Sequence, residues 1–252
     1  MKIDWKISKR DAQSIRTFVS SMSNNAFVQK RKRRCIENTP KTITKNAFWH
    51  EMVSCLLTTQ QRSGPNSPVN KLIGKHPFPL RLSICRQKSN LPRYVEKTIS
   101  SFGGIRRGTT IGYEMQHNLH VIEGKHWKAI RRAMQSLNRN SKPDEERRVA
   151  ELIREHLKGI GPKQARNLLQ GLGLVRYETP IDSRITKWLN HFGFPVTLSA
   201  SALGDPNYYN FVMDGIQILC QRAGVYPCML DAAIFASYDG DAWSKDDKRH
   251  RQ

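Results

Sequence analysis

The chain has 252 residues and 38% apolar content, enough for one or two domains with a proper hydrophobic core and too much for a disordered chain. It contains no run of about 18 apolar residues, which excludes an evident transmembrane helix. Lysine and arginine number 42 against 21 acidic residues, a net +21 that points to a polyanionic partner, with a merely solvated basic surface as the plain alternative.

The N-terminus, "MKIDWKISKRD", lacks the apolar core of a secretory signal. Residues 1–46 carry twelve Lys+Arg and three Asp+Glu, densest at "QKRKRRC". The run Lys30–Arg34 is either a DNA-facing arm or a solvated face; the sequence leaves both open. The next segment, "TKNAFWHEMVSCLLTTQQ", places Phe48, Trp49, Met52, Val53, Leu56 and Leu57 on one helical stripe, with Thr44 as N-cap. Phe48 and Trp49 read as core rather than as a base-stacking platform. Gly64, Pro65 and Pro68 break the helix. Helices are expected near Tyr94–Phe102, Glu123–Ser136 and Asp144–Leu157. "FGGIRRG" forms a turn, and "GTTIGYEM" is the best strand candidate in a chain with little period-2 alternation. Further helices are expected over Tyr208–Gln221 and Pro227–Ser237. The pattern predicts an all-α fold of roughly twelve helices in two lobes.

The most informative stretch is "LKGIGPKQARNLLQGLGLVRYETPIDSRI". Gly159 and Gly161 flank Ile160 and allow a tight reversal between two helices. Pro162 suits a first helical position. Ala165, Leu168, Leu169 and Leu172 give the second helix its apolar face. Free N–H groups at such a helix start, aided by the helix dipole, form a site for a phosphate, and Ile160 plugs the turn into the core. This is a helix-hairpin-helix clamp for a DNA backbone.

Five cysteines without a Cys-x-x-Cys argue against a zinc ribbon or an iron–sulfur cluster. His117 and His120 share a helix face, but two ligands do not make a metal site.

"LKGIGPKQA…PIDSRI" resembles the helix-hairpin-helix/Gly-Pro-Asp DNA glycosylases, the superfamily of endonuclease III and 8-oxoguanine DNA glycosylase. "LLTTQQ" followed by "VNKL" is similar to the family's "LLS-x-Q" turn and its sequel. The resemblance covers residues 48–72 and 149–192. It implies that Lys163 is a nucleophile forming a Schiff base with the sugar, and that Asp182 assists it. It implies that Gln60 enters the gap left by a flipped base, with Gln61, Gly159, Ile160, Gly161 and Arg184 against the DNA. Asn167 and Asp231 are candidates for the base pocket. The chain departs from the family pattern where Lys158 replaces a proline, and where the closing cysteine quartet is reduced to Cys220 and Cys228. A lysine without an iron–sulfur cluster is the combination of the 8-oxoguanine branch. No cofactor is therefore expected.

The chemistry fits these residue types. Base excision passes through an oxocarbenium-like sugar that a carboxylate stabilises, and an amine then captures C1′. A free lysine amine, of pKa about 10.4, is almost wholly protonated at pH 7. The nucleophile must therefore be desolvated, with repulsion from Lys158 and Arg166 as a further aid. Plainer roles compete: a phosphate contact for Lys163, capping alone for Asp182, solvated polarity for Gln60.

The expected protein is a glycosylase with AP lyase activity for a damaged purine, 8-oxoguanine first. Alternatives are endonuclease III-like removal of oxidised pyrimidines or another modified base, and a non-catalytic DNA-binding protein. Expected lobes are a central one over about 68–190, containing the hairpin at 149–172, and a second from 1–67 plus 191–252, with the cleft between them. The partner is double-stranded DNA with a damaged base, bound by a monomer without membrane association. The setting is cytoplasmic, associated with the nucleoid, if the source is prokaryotic.

Overall fold

A computed structural model describes residues 4–38, 42–61, 64 and 66–239. Pro65, the extremes of the expected second lobe at 1–3 and 240–252, and residues 39–41 lie outside the described residues. Within them the chain forms thirteen α-helices and no strand. They are α1 (Lys9–Ser21), α2 (Ala26–Lys32), α3 (Lys45–Leu57), α4 (Pro68–Ile73), α5 (Leu82–Cys85), α6 (Leu91–Phe102), α7 (Gly108–Glu123), α8 (His126–Ser136), α9 (Pro143–His156), α10 (Pro162–Gly171), α11 (Ser183–Phe192), α12 (Pro206–Ala223) and α13 (Pro227–Asp239). A π-helical turn, Arg33–Glu37, continues α2, and a 3₁₀ turn, Ala202–Gly204, precedes α12.

Local chemistry sets the ends. The Thr44 hydroxyl accepts from the Ala47 N–H at 3.1 Å and starts α3. That helix stops at Leu57, ahead of the proline-rich stretch. The hydroxyls of Thr58 and Thr59 both donate to the Cys55 carbonyl, at 3.1 and 2.9 Å, and take up a terminal acceptor. Gln60 then turns the chain with φ 57°.

"GTTIGYEM" is the first half of α7, not a strand. Ile111 and Met115, four apart, bury one face. Gly112 brings α7 against α6: a Cβ there would lie 2.7 Å from the Pro92 carbonyl oxygen. A period-2 reading misses this because small Gly112 looks like a gap in the apolar stripe.

Two hydrophobic cores define two lobes. The first gathers α3 (Phe48, Trp49, Met52 and Leu56, all fully buried) with residues from α4 to α10, ending at Val175. The second gathers α1, α11, α12 and α13 around Ile15, Leu189, Tyr209 and Met213. The lobes therefore divide elsewhere than at 67/68 and 190/191. Helix α3 belongs with the central lobe because its apolar residues pack into the core it shares with α5, α7 and α10. Helix α11 belongs with the second, through Ile185 and Leu189. The hairpin helices and Asp182 thus sit at the junction.

Candidate active site

The hairpin runs from the end of α9 to the start of α10. Gly159 takes φ 77°, and a Cβ there would meet Glu114 at 2.5 Å and Leu56 at 2.6 Å. Ile160 is buried, as a plug. Its side chain is thus unavailable to DNA, which corrects its assignment as a contact residue except through its backbone. Asn118, fully buried on α7, holds the turn from behind. Its amide accepts from the Lys158 N–H at 2.8 Å and donates to the Lys158 carbonyl at 3.0 Å. No spacing in the sequence pairs Asn118 with the hairpin.

Helix α10 begins with Gly161 as N-cap and Pro162 in its first turn, and no side chain caps it. Its early N–H groups remain open to a ligand, and the dipole favours an anion there. Lys163 follows, half-buried, and no ion pair holds it among the described residues. Cys55 lies close enough to sense its charge. Burial first, then Glu51, pushes the Cys55 thiol up to about 12, with Lys163 opposing. A neutral thiol is no rival nucleophile.

Lys163 opens into a cleft of about 580 Å³ between the lobes. Gln60, Gln61, Gly159, Gly161, Asp182 and Arg184 line the same cleft. Gln164 forms part of its floor, donating to the Cys55 carbonyl at 2.8 Å and to the Thr59 hydroxyl at 2.6 Å. The Gln61 side chain is engaged: it accepts from the Arg106 N–H at 2.7 Å and donates to the Leu57 carbonyl. Gln60, with its left-handed backbone, is the glutamine presented to the cleft without such bonds.

Asp182 is the N-cap of α11. One oxygen accepts from the N–H groups of Arg184 and Ile185, at 2.9 and 3.0 Å. The other pairs with the Arg184 guanidinium at 3.4 Å. Arg184 also lies over the Phe235 ring at 4.4 Å. Capping and cleft-facing coexist in one carboxylate, with one oxygen spent on the helix and the other left to a cation.

Lys163 and Asp182 are tied together by buried groups that the sequence reading missed. Arg166, one turn after Lys163, is fully buried. It donates to Glu178 at 2.8 Å, Asn210 at 2.8 Å and the Pro162 carbonyl at 3.3 Å, and it pairs with Glu151 at 2.8 Å. Its guanidinium rests over the Tyr209 ring at 4.8 Å. The Tyr209 hydroxyl accepts from the Ile181 N–H at 2.8 Å and donates to the Thr179 carbonyl at 2.9 Å. Arg166 therefore does not repel Lys163 as expected, because two carboxylates neutralise it. Lys158 is exposed, where solvent screens its charge.

The two candidate base-pocket residues do not line the cleft. Asn167 turns inward, towards the Cys55 sulfur at 3.5 Å and Gln164 at 3.3 Å. Asp231 is buried in an ion pair with Arg31 and accepts from Gln170 at 3.1 Å. Burial raises its pKa, Arg31 opposes, and the charge of Asp182 raises it further. Part of the Lys30–Arg34 run is thus internal structure. Among the described residues no group of three or more His, Cys, Asp or Glu is placed to hold a metal, and no helix is long and apolar enough to cross a membrane.

No family model matches the chain, and no curated protein matches it in sequence. Solved structures do match in fold. The 8-oxoguanine DNA glycosylase of Thermotoga maritima superposes with a TM-score of 0.65 at 14% identity, over 91% of this chain and 98% of that one. The Methanocaldococcus jannaschii 8-oxoguanine DNA glycosylase gives 0.61 at 16%, over 92% and 96%. The glycosylase/lyase of the same organism, in complex with a 15mer DNA containing 8-oxoguanine, gives 0.62 at 15%, over 90% and 98%. The chain has the fold of these enzymes along nearly its whole length.

Proposed function

We propose that the protein is a DNA glycosylase with AP lyase activity that removes a damaged purine, 8-oxoguanine, from duplex DNA. The carrying observation is that Lys163 and Asp182 face one cleft between the lobes, in a chain with the fold of 8-oxoguanine glycosylases. The open N–H groups at the start of α10 hold a backbone phosphate. The damaged nucleotide leaves the stack and enters the cleft, and Gln60 occupies the gap.

Lys163 gives a proton to Asp182, and its Nζ attacks the sugar C1′. The bond from C1′ to the base breaks, and the base departs with the bonding pair and takes up a proton. Asp182 passes the proton it took from Lys163 to the departing base, and its regained carboxylate steadies the positive sugar. Ring opening gives an imine between Lys163 and C1′. The imine acidifies C2′, and loss of that proton expels the 3′ phosphate. The enzyme acts as a monomer, in the cytoplasm if its source is prokaryotic.

Borohydride trapping on an 8-oxoguanine duplex tests the reading. Wild type should form a covalent adduct and Lys163→Gln none. An adduct with Lys163→Gln would show that another amine attacks. A panel of duplexes with single lesions identifies the base; preferential cutting at an oxidised pyrimidine would replace the purine assignment.

A further inference from the structure

Residues 124–143 contain no acid and six cations: Lys125, Lys128, Arg131, Arg132, Arg139 and Lys142. All six are exposed, and none takes part in an ion pair among the described residues. Most lie on or beside α8, whose inner face is fixed by buried Trp127, Ile130 and Met134. The 3–4 spacing of those three leaves Lys128, Arg131 and Arg132 on the outer face.

This surface is continuous with the hairpin. The His126 ring, in the first turn of α8, lies 4.9 Å from that of His156, the last residue of α9. The His117 ring of α7 reaches the His156 carbonyl at 3.4 Å. Lys158, two residues on, begins the turn that carries Gly159 and Gly161. A cationic stripe thus starts beside the hairpin and runs away from it along α8, with histidines between the two.

We infer that α8 is a second phosphate-binding surface, which holds duplex DNA flanking the damaged site. This rests on the DNA-repair reading of the cleft. Unpaired, exposed cations on one face of a rigid helix suit a regular polyanion, whose condensed counterions they release. At about 1.5 Å per residue the helix is roughly 16 Å long, which matches about five base pairs at ~3.4 Å each. The stripe extends the footprint of the hairpin without reading sequence.

The test is the salt dependence of binding to an undamaged duplex of about three helical turns, roughly 30 base pairs. Wild type is compared with the triple variant Lys128→Gln, Arg131→Gln and Arg132→Gln; glutamine keeps helix propensity at these exposed positions. The slope of log K against log salt should become shallower by about 2–3, near 0.9 per lost phosphate contact. An unchanged slope overturns the inference. So does a loss confined to single-stranded RNA or to phosphatidylserine vesicles, which would assign the stripe to another polyanion. Borohydride trapping by the wild type, run in parallel, separates the two ideas. Trapping with an unchanged slope removes only the stripe, and a changed slope without trapping removes only the glycosylase reading.

Discussion

Arg166 donates to Glu178 at 2.8 Å, and both side chains are fully excluded from solvent. The pair joins α10, which carries Lys163, to the segment that delivers Asp182. Glu178 is also held by Arg147 at 3.0 Å and Gln217 at 2.9 Å. Removing one partner of such a pair strands the other in low dielectric, at a cost of about 3–5 kcal/mol. Arg166→Met should lower unfolding free energy by that order in a urea titration. Arg166→Lys should recover little, because an ammonium does not reproduce the fork that reaches Glu178, Asn210 and Glu151 together. A loss under about 1 kcal/mol would mean that Glu178 is adequately held by Arg147 and Gln217 alone.

Tyr209→Phe removes one oxygen and leaves the Ile181 N–H buried without a partner. The expected cost is about 1–3 kcal/mol. Ile181 adjoins Asp182, so the turn should shift relative to Lys163. Misplacement by about 1 Å can cost roughly 100-fold in rate. Single-turnover cleavage of an 8-oxoguanine duplex should slow at saturating enzyme while DNA affinity holds. A fall in affinity with an unchanged saturated rate would place Tyr209 in stability alone.

Much of this site was legible as local chemistry. The Thr44 and Asp182 caps, the proline opening α10 and the glycine at the hairpin all follow from near-neighbour rules. What escaped depends on contacts distant in sequence. Asn118 lies 40 residues from Lys158, and Arg166 pairs with carboxylates on two other segments. Asn167 looked like a pocket residue because it is polar and one turn after Lys163, and Asp231 because it is a polar residue in the closing helical stretch. Their partners, Cys55 and Arg31, lie 112 and 200 residues away and turn them inward. The lobe boundary failed for a related reason, since an apolar stripe does not name the core it joins.

Asn118 and Gly159 give the hairpin its shape from opposite sides. Asn118→Leu keeps bulk but leaves the Lys158 N–H and carbonyl without their buried partner, at about 1–3 kcal/mol. Gly159→Ala asks a Cβ to sit 2.5 Å from Glu114 at φ 77°. Both variants should bind undamaged duplex at least several-fold more weakly, because the turn that aims the α10 N–H groups is displaced. Fluorescence anisotropy measures this directly. Wild-type affinity in both, with lowered melting temperatures, would mean that the hairpin does not carry the phosphate contact.

Glu146, fully buried in α9, accepts from three successive backbone N–H groups: Arg176 at 2.9 Å, Tyr177 at 2.7 Å and Glu178 at 2.9 Å. It anchors the segment that leads from α10 towards Asp182. Burial pushes its pKa from an ordinary 4.5 up to about 7, outweighing those N–H groups and Arg176. The folded protein therefore keeps a proton on Glu146 up to about pH 7, whereas the unfolded chain releases it near 4.5. Wherever the folded state binds the extra proton, stability falls as pH rises. The contribution is fully present below pH 4.5 and is lost through pH 7, by about 3 kcal/mol at ~1.4 kcal/mol per unit. Glu146→Gln cannot titrate and lacks this loss, whatever its stability at any single pH. Urea titrations of both proteins across this range should show the wild type losing ground to the variant by that order. Parallel pH profiles would mean that the three N–H groups hold Glu146 ionised, and that this loop is anchored by an anion.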